Sequence, residues 1–374
     1  MEFTVTMQDL VKELSLTQGV VERKTTIPIL SNILLETEKD RLVLTATDLE
    51  LSIRTSCNAK MKTEGAATIP AKKLLDLVRL LPGGDIRFKL LDNHWVQIVS
   101  DRKTYKLVGL SKENFPALPA VPPASVGIPS KVLSDLIAKT AFAISTEESR
   151  YTLNGALAIL KPDGLTMVAT DGHRLSLAEA DAKLSGLPGE VRALVPRKAL
   201  VEITRLVAEE GEPAEGHAEL AFAQDESHLF FQIGPRLLIS RRLTGQFPNY
   251  LAVLPRDNNK VVVLDRNEFQ DALRRVSQLA DQRSHVVKLV VASEGIELSA
   301  SSPDYGEAKE AIEREYKGEP IAIGFNADYL LDFLAAAPEG PVSLELKDGE
   351  SAGQFRPQGE SGTHYRYVVM PMRI

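Results

Sequence analysis

Two periodicities alternate along the chain and return in a fixed order. Residues 2–6 alternate apolar and polar positions as a half-buried strand does, and over 8–20 the apolar positions Leu10, Val11, Leu14 and Leu16 gather on one side of a helix. Strand patterns follow over 29–37, 41–46 and 50–56, separated by polar turns. The order then repeats: a strand over 67–69, a helix over 71–81 stopped by Pro82-Gly83-Gly84, and strands over 86–90, 95–100 and 104–110. Further on, the spacing predicts helices over 131–144 and 197–210 with strands running to 180 and 243, then helices over 267–280 and 327–336 with strands running to 312 and 370. Six half-modules result, each a strand, a helix and three strands. Helices held to one side of antiparallel sheets make an α+β layered arrangement.

Residue-level repeats support the same division. LVLTATD at Leu42–Asp48 returns as LTMVATD at Leu165–Asp171 and, more loosely, as IELSASSPD at Ile296–Asp304. Downstream of each lies a second phrase, Ala67–Val78, Ala193–Ile203 and Ile321–Asp332, in which a short strand runs into a helix. Order and offset are kept in all three copies, which predicts three homologous domains, 1–122, 123–254 and 255–374. The proline-rich phrase Asn114–Pro123 reads as a stiff connector, and the related phrase Gln246–Pro255 closes the second copy.

Composition narrows the class. The chain of 374 residues is 44% hydrophobic and 25% charged, as ordinary globular proteins are. Met1-Glu2-Phe3-Thr4 lacks the basic and apolar regions of a signal peptide, and no apolar run approaches the ~18 residues of a membrane helix, so the expected location is the cytoplasm. A single cysteine, Cys57, excludes an internal disulfide and reads as a small apolar filler. Net charge is −7, yet the predicted helices carry Lys12, Lys72, Lys73, Arg79, Lys131, Lys139, Arg197, Lys198, Arg205, Arg266, Arg274 and Arg275. Acids such as Glu209, Glu210, Glu212 and Glu215 sit at helix ends and turns. If the helices share a face, that face is positive on an acidic body.

No catalytic constellation emerges. Asp171-Gly172 between two alternating segments is a hairpin signal, and His173 beside it reads as a surface histidine. The chain has no glycine-rich phosphate loop, no metal-type His/Cys spacing and no nucleophile elbow, so neither catalysis, a cofactor nor a metal is expected. One reading open to such a chain is a monomeric three-repeat scaffold that binds protein.

Several motifs together carry a resemblance. Met1, Phe3, Thr4 and Val5 at the start, Thr26–Leu35, Arg150–Gly155, Val168–Leu175, Val195–Lys198, Gln246–Tyr250 and the terminal Tyr367–Ile374 resemble, in order and spacing, the bacterial β sliding clamp family over the whole length. The resemblance implies three DNA-clamp domains per chain, a head-to-tail homodimer closed into a six-domain ring, helices lining the hole and duplex DNA threaded without sequence preference. It points to Lys24, Tyr151, Arg197 and Lys198 as DNA-touching positions. Two cations opening a helix oppose its macrodipole, which fits an anionic partner.

It further implies a surface cleft where replicative polymerase, clamp loader and repair polymerases dock short linear motifs. Carried over position by position, the cleft comprises Leu153, Thr170, Gly172, His173, Arg174 and Leu175 from the middle third and Pro248 and Val253 from the connector. Val368, Met370, Pro371, Met372 and Arg373 at the terminus complete it. Arg174 and the terminal carboxylate would frame the apolar surface with polar groups. Thr152 and Ala252 depart from residues common in the family, an aromatic and an arginine. The dimer seam is placed near Lys73, Tyr105 and Leu279, with Gln278 replacing an apolar residue of some relatives; Arg274, Arg275 and Arg283 fit either seam or channel.

Overall fold

A computed structural model describes residues 1–21, 26–123, 125–187, 189–210, 219–359 and 362–374. The first half-module is β1 (Glu2–Thr6), α1 (Met7–Thr17), β2 (Asn32–Glu38), β3 (Arg41–Thr47) and β4 (Leu51–Asn58). A short β5 (Lys60–Thr63) precedes the second: β6 (Ala66–Pro70), α2 (Ala71–Arg79), β7 (Asp85–Leu90), β8 (Trp95–Ser100) and β9 (Lys103–Val108). The middle third supplies β10 (Val126–Pro129), α3 (Ser130–Thr140), β11 (Gly155–Lys161), β12 (Gly164–Thr170) and β13 (Arg174–Asp181). It continues with β14 (Val191–Pro196), α4 (Arg197–Glu210), β15 (Glu219–Gln224), β16 (His228–Ile233) and β17 (Arg236–Arg241). The last third supplies β18 (Lys260–Asp265), α5 (Arg266–Ser277), β19 (Val286–Ala292), β20 (Gly295–Ser302) and β21 (Gly306–Glu313). It ends with β22 (Ile321–Asn326), α6 (Ala327–Ala336), β23 (Pro341–Leu346), β24 (Gly353–Pro357) and β25 (Thr363–Val369).

The opening strand of each half-module leaves its own three strands and joins those of its sibling. Thus β1 pairs with β7 while β6 pairs with β2. Likewise β10 pairs with β15 and β14 with β11, and β18 pairs with β23 and β22 with β19. Helices α5 and α6 start where side chains satisfy their orphan N–H groups: Asp265 accepts from Asn267 and Glu268 N at 3.0 and 2.9 Å, and Asn326 accepts from Asp328 and Tyr329 N at 2.9 and 3.2 Å. Pro82 and two glycines at positive φ, Gly83 and Gly84, end the α2 region as the sequence predicts.

The chain divides into two compact units, one of residues 1–131 and 198–242, the other of 132–197 and 243–374. The first holds a five-stranded sheet in the order β5-β1-β7-β8-β9 and an eight-stranded sheet in the order β10-β15-β16-β17-β4-β3-β2-β6. The larger sheet is continuous because β17 pairs with β4 from Leu237↔Arg54 to Ser240↔Leu51. A buried ion pair braces that ladder. Arg236 at the head of β17 donates from Nη2 and Nε to Glu13 of α1 at 2.8 and 3.1 Å and from Nη1 to Glu210 at 3.0 Å, while Thr55 donates to Glu13 at 2.5 Å. Arg236 and Glu13 are 3% and 5% exposed, so each depends on the other for solvation.

The second unit holds an eight-stranded sheet in the order β14-β11-β12-β13-β25-β24-β23-β18 and a four-stranded sheet in the order β21-β20-β19-β22. Its ladder between thirds is β13 with β25, from Arg174↔Val369 to Ala180↔Thr363. Phe355 lies among Phe269, Phe325 and Phe333 beneath this sheet, and Phe333 stacks on Tyr367 with ring centroids 5.1 Å apart.

Several expectations need correction. The helix expected over 8–20 stops at Thr17, and the strand expected from 29 starts at Asn32, because Pro28 opens a single 3-10 turn over Pro28–Ser31. The helix over 131–144 ends at Thr140 and tightens into a 3-10 turn, Ala141–Ala143. The edge strand β5 escaped notice because KMKT carries no buried face. Lys139 is buried beside Asp135, at 2.5 Å, and Arg266 donates to Leu334 O at 2.7 Å, so neither belongs to a solvated basic helix face. Cys57 is buried among strands, and burial pushes its thiol up to about 12, an inert filler as expected. No described helix is long and apolar enough to cross a membrane.

Truncating Arg236 to alanine strands the Glu13 carboxylate in the interior and should cost about 3–5 kcal/mol in urea unfolding followed by circular dichroism. The exposed pair Arg241–Glu50 is the control; its truncation should cost about 1 kcal/mol or less.

Candidate functional site

A tight turn of the second unit joins β12 to β13, and its side chains hold it closed. Asp171 Oδ1 accepts from the backbone N of His173 and Arg174 at 2.9 and 3.0 Å, and Thr170 Oγ1 donates to Arg174 O at 2.6 Å while accepting from Gly172 N at 3.1 Å. Gly172 sits at φ +92°, and a Cβ there would lie 2.9 Å from Arg150 Nη1, which donates to Asp171 O at 2.6 Å. The chain's last strand runs beside this turn, since Met370 N donates to His173 O at 2.9 Å beyond the end of β25.

Arg174 is spent on architecture. Its Nε donates to Asp171 Oδ2 at 2.9 Å, Nη1 to Asp332 Oδ2 at 2.6 Å and Nη2 to Phe142 O at 2.9 Å, while the guanidinium lies 4.3 Å from the Tyr329 ring centroid. The guanidinium is thus held by carboxylates and a carbonyl while it lines the cleft, and it stiffens that wall.

Between the turn, the end of β25 and the connector lies an apolar cleft of about 130 Å³. Of the residues expected there, Leu153, Thr170, Gly172, His173, Arg174, Leu175, Pro248, Val253, Val368 and Met370 line it. Pro371, Met372 and Arg373 do not. Met372 N donates to Gly324 O at 2.8 Å, which draws the tail toward β22, and Met372, Arg373 and Ile374 border a separate groove with Lys288, Ser301 and Glu307. Tyr250 lines the cleft and was missed, although it stands between Pro248 and Val253 in a phrase already singled out. The connector is no free spacer: Leu243, Phe247, Tyr250 and Leu254 pack on Leu157, Ile159, Val168, Leu175 and Leu177. Val253 and Met370 remain 45% and 44% exposed at the mouth, an apolar and adaptable rim.

Other expected positions lie apart from this cleft. Tyr151 is 72% exposed in a 3-10 turn, Tyr151–Leu153. Arg197 and Lys198 open α4 and are exposed, but Lys198 Nζ is ion-paired to Asp48, whose carboxylate is nearly covered. Lys24 lies outside the described residues. Lys73 is exposed on α2, Tyr105 is half-buried on β9, and Leu279 falls just past the end of α5 and not within it. Arg274 pairs with Asp271 at 3.5 Å and Arg275 with Glu310, whereas Arg283 is exposed in the turn that follows.

Known proteins match this chain throughout. Residues 1–119, 127–249 and 251–373 match, in turn, the N-terminal, central and C-terminal domains of the DNA polymerase III beta subunit. Beta sliding clamps of Caulobacter vibrioides and Synechocystis are 38% and 33% identical to it, with both partners covered completely in each comparison. Among solved structures, the DNA polymerase III subunit beta of Pseudomonas aeruginosa superposes with a TM-score of 0.91 at 33% identity. A sliding clamp of Bartonella birtlesii bound to griselimycin superposes with 0.93 at 34%, each pair covered in full. The chain belongs to the DNA polymerase III beta subunit family, the beta sliding clamps.

Proposed function

We propose that two copies of this chain close head to tail into a ring around duplex DNA, and that the ring tethers replication and repair proteins through the apolar cleft. Two open sheet edges carry the proposal. In one compact unit β9 ends the five-stranded sheet, with exposed Lys103 and Lys106 flanking the half-buried Tyr105. In the other, β21 ends the four-stranded sheet and carries Glu307, Glu310 and Glu313 against a single Lys309. Open strand edges seek a partner, and these two are unlike in position and opposite in charge, so each is complementary to the other on a second copy. Such a heterologous contact closes into a ring when its rotation fits. The thirds 1–122, 123–254 and 255–374 act as the three clamp domains of each copy.

A ring retains DNA by topology and needs only weak contacts with it. Lys24, Tyr151, Arg197 and Lys198 meet the sugar-phosphate backbone without reading bases, and the bond from Lys198 to Asp48 tempers its grip. The cleft takes a short linear peptide with apolar anchors at micromolar-range affinity, roughly −8 kcal/mol, so partners such as a polymerase and a loader exchange. The protein works in the cytoplasm and needs no catalytic residue for this task.

Retention on DNA tests the central claim. Protein loaded on nicked circular plasmid should stay bound in high salt and dissociate when the plasmid is linearised; equal loss from circle and line would leave the monomeric scaffold as the better account. Charge reversal of Lys103 and Lys106 to glutamate should weaken self-association about ten-fold or more in analytical ultracentrifugation, and the reversal of Glu307 and Glu313 to lysine should restore it. Deleting Met370–Ile374 takes Met370 from the mouth of the cleft and should abolish binding of polymerase-derived peptides in fluorescence polarisation while leaving sedimentation unchanged.

A further inference from the structure

The face of β25 that lines the cleft does not end at Val368. Arg366 lies two positions back on the same face, about 7 Å away, opposite Leu177 of β13. On its other side the register Gln354↔Val368, Phe355↔Tyr367 sets Arg356 of β24 opposite Arg366 at the next step. Like charges directly across an antiparallel pair repel, so this juxtaposition is unfavourable on its own. Glu345 offsets it only in part. Among the described residues no carboxylate lies within ion-pair distance of Arg366, whose Nε and Nη2 both donate to the neutral Gln354 Oε1 at 2.9 and 2.7 Å. Arg356 Nε is buried 3.3 Å from Glu345 Oε1 but out of hydrogen-bonding alignment, and it is left unsatisfied. Glu345 itself is engaged by Gln354 Nε2 at 2.5 Å and by Ser343 Oγ at 3.4 Å.

One contact aims Arg366 toward the cleft. Gln354, which anchors the Arg366 guanidinium, stands opposite the cleft residue Val368, so the cation leans toward the apolar surface. Burial and the neighbouring Arg356 push Arg366 below the usual arginine range, against the opposing pull of Glu345. Glu179 acts on Arg366 only at longer range.

We propose that Arg356 and Arg366 form an anion subsite continuous with the cleft, which takes a carboxylate side chain of the docked peptide beside its apolar anchor. The subsite rests on the peptide-docking reading of the cleft. It converts an apolar groove, tolerant of many sequences, into one that prefers peptides with an acidic flank. An incoming carboxylate pairs with Arg366, which has no carboxylate of its own within ion-pair distance, and offsets the repulsion from Arg356.

Three fluorescein-labelled hexapeptides with one leucine–phenylalanine anchor test this on the full-length protein: one with two aspartates before the anchor, one with two after it, and one with asparagines instead. One of the acidic peptides should bind about five-fold more tightly than the neutral peptide. Arg366→Gln and Arg356→Gln should each reduce that preference while leaving the affinity for the neutral peptide unchanged, and added salt should erase it in the unaltered protein. The salt series stands even if a substituted protein fails to fold. Equal affinity for all three peptides, or a preference that survives both substitutions and high salt, would overturn the subsite while sparing the cleft. Absence of binding by all three would overturn the docking reading, and the subsite with it.

Discussion

The pairing of β4 with β17 and of β13 with β25 governs the rest of the structure. Each ladder joins strands from different thirds of the chain into one eight-stranded sheet, so the repeats are fused through main-chain hydrogen bonds and not merely tethered by connectors. Both ladders are braced the same way. An arginine at the head of the joining strand, Arg236 on β17 or Arg174 on β13, reaches a carboxylate on a helix of the neighbouring third, Glu13 on α1 or Asp332 on α6. Desolvation makes either arginine costly alone, and the paired carboxylate makes it directional, which favours one register between the thirds.

This construction also shapes the cleft. Arg174 sets the angle of the β12–β13 turn because it bonds the turn's own Asp171 and Asp332 beyond it in the same movement. The connector then packs its apolar residues on the sheet and offers only Pro248, Tyr250 and Val253 to the opening. Cleft and inter-repeat brace are therefore one mechanical object, and a ligand in the cleft rests on a wall backed by buried charge.

Much of this was legible in the sequence, for identifiable reasons. The six half-modules follow from period-two and period-3.6 spacing reinforced by the repeated phrases, and Asp171-Gly172 announced its hairpin directly. What escaped was decided by non-local contacts. The exchange of opening strands between siblings leaves no mark on any one half-module, because β1 and β6 read the same whichever partner they choose. That Arg174 also braces the cleft wall could not be read from its neighbours in the chain, because its partners Asp332 and Phe142 lie far away in it. Lys139 looked solvated from helical spacing, yet it packs inside because Asp135, one turn earlier, also receives a bond from Thr363 of β25 at 2.9 Å. The tail departed from expectation because Gly324, lacking a side chain, lets Met372 approach β22.

Strand pairing across thirds bears on how the chain is made. Arg241, at the end of β17, bonds Glu50 at the start of β4, and the two are 191 residues apart. At ribosomal speed, β4 emerges with an unpaired border that stays open for about ten to forty seconds before its mate is translated. The nascent first third therefore leaves the tunnel with an adhesive flank, and on a crowded polysome a neighbouring copy could seize it first. Early cover of that flank is as much a requirement on this sequence as the finished architecture.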